Sequence, residues 1–176
     1  MSGTVVGELE RIVEALGKDG TAIQPTSLAK VAEHVARSFS VGPDEVAILG
    51  LADRNRTLLF LVPEPLKEIG TIPLSSTSSL AARTAREKKP HFINNFPASR
   101  HTSVFEGVSP GRKGSPIQKI MSAPVLVGND LVGVVQVSRK GSGLKEAGAD
   151  FTHKDLRALT EIAGALGRLI QLVPTS

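Results

Sequence analysis

The chain has 176 residues, 40% of them hydrophobic, a length and balance that fit one compact domain with a substantial core. Its net charge of +4 is scattered, and with no Trp, no Tyr and six Phe it lacks the stacking platforms of a single-strand nucleic-acid binder, so nucleic acid is disfavoured as a partner. The absence of cysteine excludes disulfides, thiol catalysis, Cys-ligated zinc and thioether-linked chromophores.

Residues 4–18 read as a helix, with Val5, Leu9, Ile12 and Leu16 on one stripe and Val6 and Val13 beside it. Glu8, Glu10, Arg11 and Glu14 interrupt the apolar residues, so this stretch does not read as a secretory leader, and no stretch approaches the roughly 20 apolar residues of a membrane helix. A cytoplasmic protein with no membrane partner is the expectation. A second helix begins near Pro25–Thr26–Ser27, with Leu28, Val31, Ala32, Val35 and Phe39 on one face. Gly42–Pro43–Asp44 ends its period. Two short apolar runs, from Val46 to Leu51 and from Leu58 to Val62, flank the turn Asp53–Arg56 and predict a hairpin. Ile69 to Leu74 predicts an edge strand, because Pro73 lacks a ladder donor.

The hydroxyl run Ser75–Ser79 precedes Leu80, Ala81, Ala82 and Ala85 and predicts an N-cap leading into a helix that reaches about Lys88. His91–Ile93 is a short strand. Residues 94–119 are poor in apolar side chains and rich in Gly and Pro, with a short helix read around 102–106; a long irregular stretch inside a compact domain is usually functional or mobile. The clearest hairpin follows, Ile120–Val127 and Leu131–Ser138 around Gly128–Asn129–Asp130. After a polar loop over 140–150, Thr152 and Asp155 form a capping-box-like pair at the start of the last helix. Leu156, Leu159, Ala163, Leu166, Ile170 and Val173 recur there at heptad spacing, widened by Ile162 and Leu169. Hairpins dominate, so the fold class is α+β, a mainly antiparallel sheet with helices on one face or at its ends.

Three stretches resemble the GAF family of sensory domains, of the stand-alone bacterial type. Met121–Lys140 resembles the family's C-terminal hairpin, Phe151–Leu156 the lead-in to its final helix, and Leu80–Asn95 its ligand-side helix and the strand running into the pocket loop. The likeness covers roughly 25–172, treated as the core of a single domain over 1–176, with 1–20 as an N-terminal dimerisation helix. PAS domains share the same general sheet, but the terminal helices fit GAF better. The resemblance implies a GAF/PAS-like, six-stranded antiparallel sheet with N- and C-terminal helices on one face and a ligand pocket on the other. It also implies a small-molecule sensor and not an enzyme. Members bind cyclic nucleotides, bilins, haem, amino-acid-like effectors or nothing known, and fold alone does not choose among these. Without cysteine, covalent bilin attachment and the family's free-methionine-sulfoxide reductase chemistry are disfavoured. Asn95 stands where cyclic-nucleotide binders carry Lys, and no Asp-Glu pair follows Phe105, so their signature is not met, although a nucleotide or another small molecule stays open as the ligand.

Candidate ligand residues are Ser76, Ser78, Ser79 and Arg83 at the capped helix, where free N–H groups attract anions, and Asn94, Asn95, Arg100, His101 and Phe105 in the irregular stretch, which together could hold a polar heterocycle or an acid. Catalytic motifs are absent, and the four histidines lack metal-ligand spacing. Val5, Leu9, Ile12 and Leu16, with Leu159, Ile162, Leu166 and Leu169, are the expected dimer seam, giving a homodimer through a four-helix bundle. No output domain is read in the sequence, so the expected route for a signal is a separate output protein, unless the chain is a fragment of a longer protein. A ligand-free dimerisation or interaction scaffold on the same fold is the competing reading.

Overall fold

A computed structural model describes residues 7, 10, 11, 14, 25–52, 54, 56–62, 71–99 and 116–171. Gly7, Glu10, Arg11 and Glu14 are helical, in keeping with the helix read over 4–18. Val5, Leu9, Ile12, Leu16 and the short helix read around 102–106 lie outside the described residues.

Helix α1 spans Pro25–Ser38. A 3-10 turn at Pro43–Glu45 leads into β1, Val46–Ala52, which returns as β2, Thr57–Val62. Strand β3 is Thr71–Pro73, helix α2 is Leu80–Glu87, and β4 is His91–Ile93. The hairpin β5 and β6, Ile117–Val127 and Asp130–Lys140, extends beyond the apolar core of each run that marked it in the sequence. A four-residue helix, α3 at Leu144–Ala147, lies in what reads as a polar loop, and α4 spans His153–Gln171.

All strands pair antiparallel in one six-stranded sheet ordered β3-β2-β1-β6-β5-β4. The β5–β6 turn is closed by Val127 opposite Asp130, and Gly128 takes a φ of 62°, a conformation open to glycine without steric cost. At the sheet's centre Gly133 of β6 faces Gly50 of β1, and a Cβ at Gly133 would lie 2.2 Å from the carbonyl oxygen of Leu49.

The period of two along each strand divides the core. Val46 and Ile48 of β1, Met121, Ala123 and Val125 of β5, and Val135 and Val137 of β6 face α1 and α4. Ala47, Leu49, Phe60, Ile120 and Val134 face α2 instead. The N- and C-terminal sides of the core thus supply helices to one face and α2 covers the other, as the α+β reading anticipated.

One expectation is corrected here. Leu159, Ile162, Leu166 and Leu169 are each 0% exposed and belong to the cluster between α1, α4 and the sheet. They are core residues of their own chain, not a seam open to a second copy. The exposed side of α4 is polar, carrying Lys154, Arg157, Glu161 and Arg168. Its start is capped as anticipated: Thr152 N–H donates to Asp155 Oδ2 at 2.9 Å, and Asp155 N–H to Thr152 Oγ1 at 3.2 Å.

Candidate functional site

The face of the sheet under α2 differs in kind from the face under α1 and α4. Helix α2 starts at Ser79, whose Oγ accepts from Ala82 N–H at 3.2 Å, and ends at Lys88, a left-handed residue whose N–H bonds Thr84 O. Between these caps it lays Ala81, Ala82, Thr84 and Ala85, all buried, on the sheet. Short side chains bring the helix close. Among the described residues, the polar side chains at 0% exposure are Thr84 of α2, Ser122 of β5, and Gln136 and Ser138 of β6.

Three of these form a buried chain of hydrogen bonds. Thr84 Oγ1 lies 2.9 Å from Leu80 O, within donating distance. Thr84 Oγ1 also lies 2.8 Å from Ser122 Oγ, to which it is placed to donate. Gln136 Nε2 donates to Ser122 Oγ at 3.1 Å. Gln136 Oε1, buried and opposite Ala47 on β1, has no partner among the described residues. A buried acceptor left without any donor costs roughly 1–3 kcal/mol. Ser138 does not relieve it, since its hydroxyl donates to Glu45 O at 3.3 Å.

Several of the residues singled out in the sequence have partners within the fold. Ser76 Oγ accepts from Ser79 N–H at 3.2 Å and stands 3.5 Å from Ser78 Oγ, so the hydroxyl run builds the turn that caps α2. Arg83 projects from the solvent side of α2 and pairs with Glu87 at 3.1 Å. Glu87 also meets His91 Nε2 at 2.9 Å, and its pKa is lowered, first by the hydrogen bond from Arg83. Nearby, Arg86 donates to Ser76 O at 2.6 Å and Lys88 to Asn129 O at 2.9 Å. Asn95 is exposed at the start of a 3-10 turn over Phe96–Ala98. Arg100, His101 and Phe105 lie outside the described residues.

Asn94 too has partners within the fold. Its Nδ2 donates to Phe151 O at 2.9 Å and its Oδ1 accepts from Phe151 N–H at 2.8 Å. Each end of the amide thus makes a backbone hydrogen bond, and Asn94 is a clasp between the end of β4 and the approach to α4. Phe151 itself is buried beneath the guanidinium of Arg139, 4.5 Å from the ring centre, and Arg139 also donates to Phe39 O at 3.0 Å. Asn94→Ala strands two part-buried backbone groups and is expected to cost about 1–3 kcal/mol in urea unfolding, with Asn94→Asp intermediate because it keeps only the acceptor.

Thr84, Ser122, Gln136 and Ser138 were not among the candidates drawn from the sequence. Their signal was present in the run Val135-Gln-Val-Ser138, but polar alternation in an antiparallel strand ordinarily marks a solvated face. Here α2 covers it. No group of three or more potential metal ligands occurs among the described residues. No helix among them is long and apolar enough to cross a membrane.

The antiparallel sheet between a helical layer and a single covering helix is an architecture found in GAF domains. A family model described as GAF domain matches residues 25–171, and the chain belongs to that family. Its fold is similar to the GAF domain of Acinetobacter phosphoenolpyruvate-protein phosphotransferase, at 20% identity and a TM-score of 0.66 over 97% of this chain and 95% of that one. It is similar also to the A. aeolicus nlh2 GAF domain in an inactive state, at 16% identity and a TM-score of 0.65 over 97% and 96%. The free methionine-R-sulfoxide reductase of Neisseria meningitidis, an enzyme, shares the fold at 14% identity and a TM-score of 0.65 over 98% and 89%. No curated protein matches the chain.

Proposed function

We propose that this chain is a small-molecule-sensing regulatory domain, and not an enzyme, which holds its ligand between the sheet and α2 and signals through contact with a second copy or a separate output protein. The observation that carries the reading is the concentration of fully buried polar side chains on the α2 face, Thr84, Ser122, Gln136 and Ser138, one of them with an unmet acceptor. A layer that served packing alone gains nothing from such groups, as the aliphatic cluster on the opposite face demonstrates.

The route from ligand to surface is short. Strand β6 presents Gln136 to the α2 face and Val135 and Val137 to α1 and α4. An occupant that displaces or stiffens β6 therefore acts on both helices, provided it binds one arrangement better than the other. Catalysis of sulfoxide reduction through a thiol has no carrier, because the chain contains no cysteine.

Native mass spectrometry of the gently purified protein, repeated after denaturation, tests this reading. A reproducible added mass that denaturation releases is the expected result, and the same spectrum gives the number of copies. A bare chain under these conditions, unchanged by incubation with a metabolite extract, would overturn the sensing assignment and leave a ligand-free scaffold.

A further inference from the structure

The segment that leads into α4 is held by side chains of the sheet. Residues 148–152 belong to no helix or strand. Lys119 of β5 donates to Gly148 O and pairs with Asp150 at 2.8 Å. Arg139 of β6 donates to Ala149 O at 2.9 Å. Asn94, just past β4, holds both the N–H and the carbonyl of Phe151. These grips come from neighbouring strands, because β6, β5 and β4 are consecutive in the sheet. Backbone without a ladder of its own takes its position from whatever satisfies its polar groups.

Arg139 carries the grip further. While Nη1 serves Ala149 O, Nη2 donates to Phe39 O at 3.0 Å, and the guanidinium lies over the ring of Phe151. Phe39 belongs to the turn that ends α1, where Phe39 N–H and Val41 N–H return to Ala36 O at 3.2 and 3.0 Å. A flat fork of donors can hold two carbonyls and cover a ring at once, which an ammonium cannot do. Strand β4 has a second hold on the same place. The ring of Phe92 stands 4.9 Å from that of His153 at the start of α4, while its neighbour Ile93 packs in the α2 layer.

Building on the sensing assignment above, we infer that Asn94 and Arg139 form a relay through Phe151, fastening the start of α4 and the end of α1 to strands β4, β5 and β6, so that an occupant under α2 which shifts these strands moves both helix ends together. Coupling of this kind runs through contiguous contacts, and each contact here is a hydrogen bond or a ring face.

Amide hydrogen exchange of the whole chain, read residue by residue by NMR, tests the relay without a ligand. Asn94→Ala is expected to speed exchange about tenfold, the value of one hydrogen bond, at Leu156 N–H, which bonds Thr152 O at the start of α4. It is expected to speed exchange also at Val41 N–H at the end of α1, where Asn94 makes no hydrogen bond. In an Arg139→Met background the same substitution should leave Val41 unchanged, because the link from Phe151 to Phe39 is gone. Asn94→Asp and Arg139→Lys stand in if either variant does not fold. No response of Val41 to Asn94→Ala, or an equal response in both backgrounds, would overturn the relay; the equal response would mark a general loss of stability. The two readings fail separately. The exchange cycle uses the bare protein, so its failure leaves sensing intact, whereas a chain that carries and binds no small molecule would refute sensing whatever the cycle gives.

Discussion

Replacing Gly133 with alanine is expected to destabilise the domain by about 3 kcal/mol or more, a severe effect for the addition of one methyl group. The added carbon would sit 2.2 Å from the carbonyl oxygen of Leu49, which is backbone and cannot rotate away, and 3.3 Å from Ile170 Cδ1. Relief requires β1 and β6 to part at the centre of the sheet. Gly164→Ala is the internal control. Gly164 lies in the same helix as Ile170, and a Cβ there would meet nothing within 4 Å, so the substitution should stabilise by about 0.5–1 kcal/mol through helix propensity alone. Urea unfolding of both variants checks the pair, and equal effects would refute the close approach at Gly133.

Leu166→Ala is expected to cost about 2–5 kcal/mol, because a side chain at 0% exposure leaves a cavity between α4 and the sheet. The decisive measurement is the dependence on protein concentration. A core residue lowers stability equally at every concentration. A seam residue would leave the isolated chain's stability little changed and shift a dimer equilibrium instead. The structure predicts the former, and a variant that merely dissociates would refute the internal packing of α4.

Much of the fold could be read from local pattern. The β5–β6 hairpin announces itself by strand-like runs around a Gly-Asn-Asp turn, and α4 by Thr152 with Asp155 before an apolar stripe, because turns and caps are built from residues close in sequence. What the stripe packs against is a different matter. Leu159, Ile162, Leu166 and Leu169 have the spacing of a helix-to-helix seam, yet a helix lying on a sheet buries the same broad band. Periodicity identifies an apolar face and is silent about its partner.

The site was less legible for the same reason. Asn94 sits among polar residues in an irregular stretch, and its partner, the backbone of Phe151, is distant in sequence. Ser76 and Ser79 were correctly placed before a helix, where capping claims their hydroxyls. The buried polar chain depends on α2 lying over β5 and β6, so Ser122 and Gln136 gain meaning only once Thr84 is seated above them. Polar residues in strands carry no local mark that separates a solvated face from a covered one.

The central ladder of the sheet joins β1 to β6, with Val46 opposite Val137 and Gly50 opposite Gly133. A chain emerging from the ribosome therefore completes α1, β1 and β2 long before the strand that closes the inner edge of β1 exists. Until β6 arrives, that edge offers open hydrogen-bonding groups and an uncovered run of Val, Ala, Ile and Leu. Folding must wait for a late, long-range event, which places this domain among slower folders for its size, and shortening the chain anywhere before Lys140 should yield an insoluble product rather than a smaller domain.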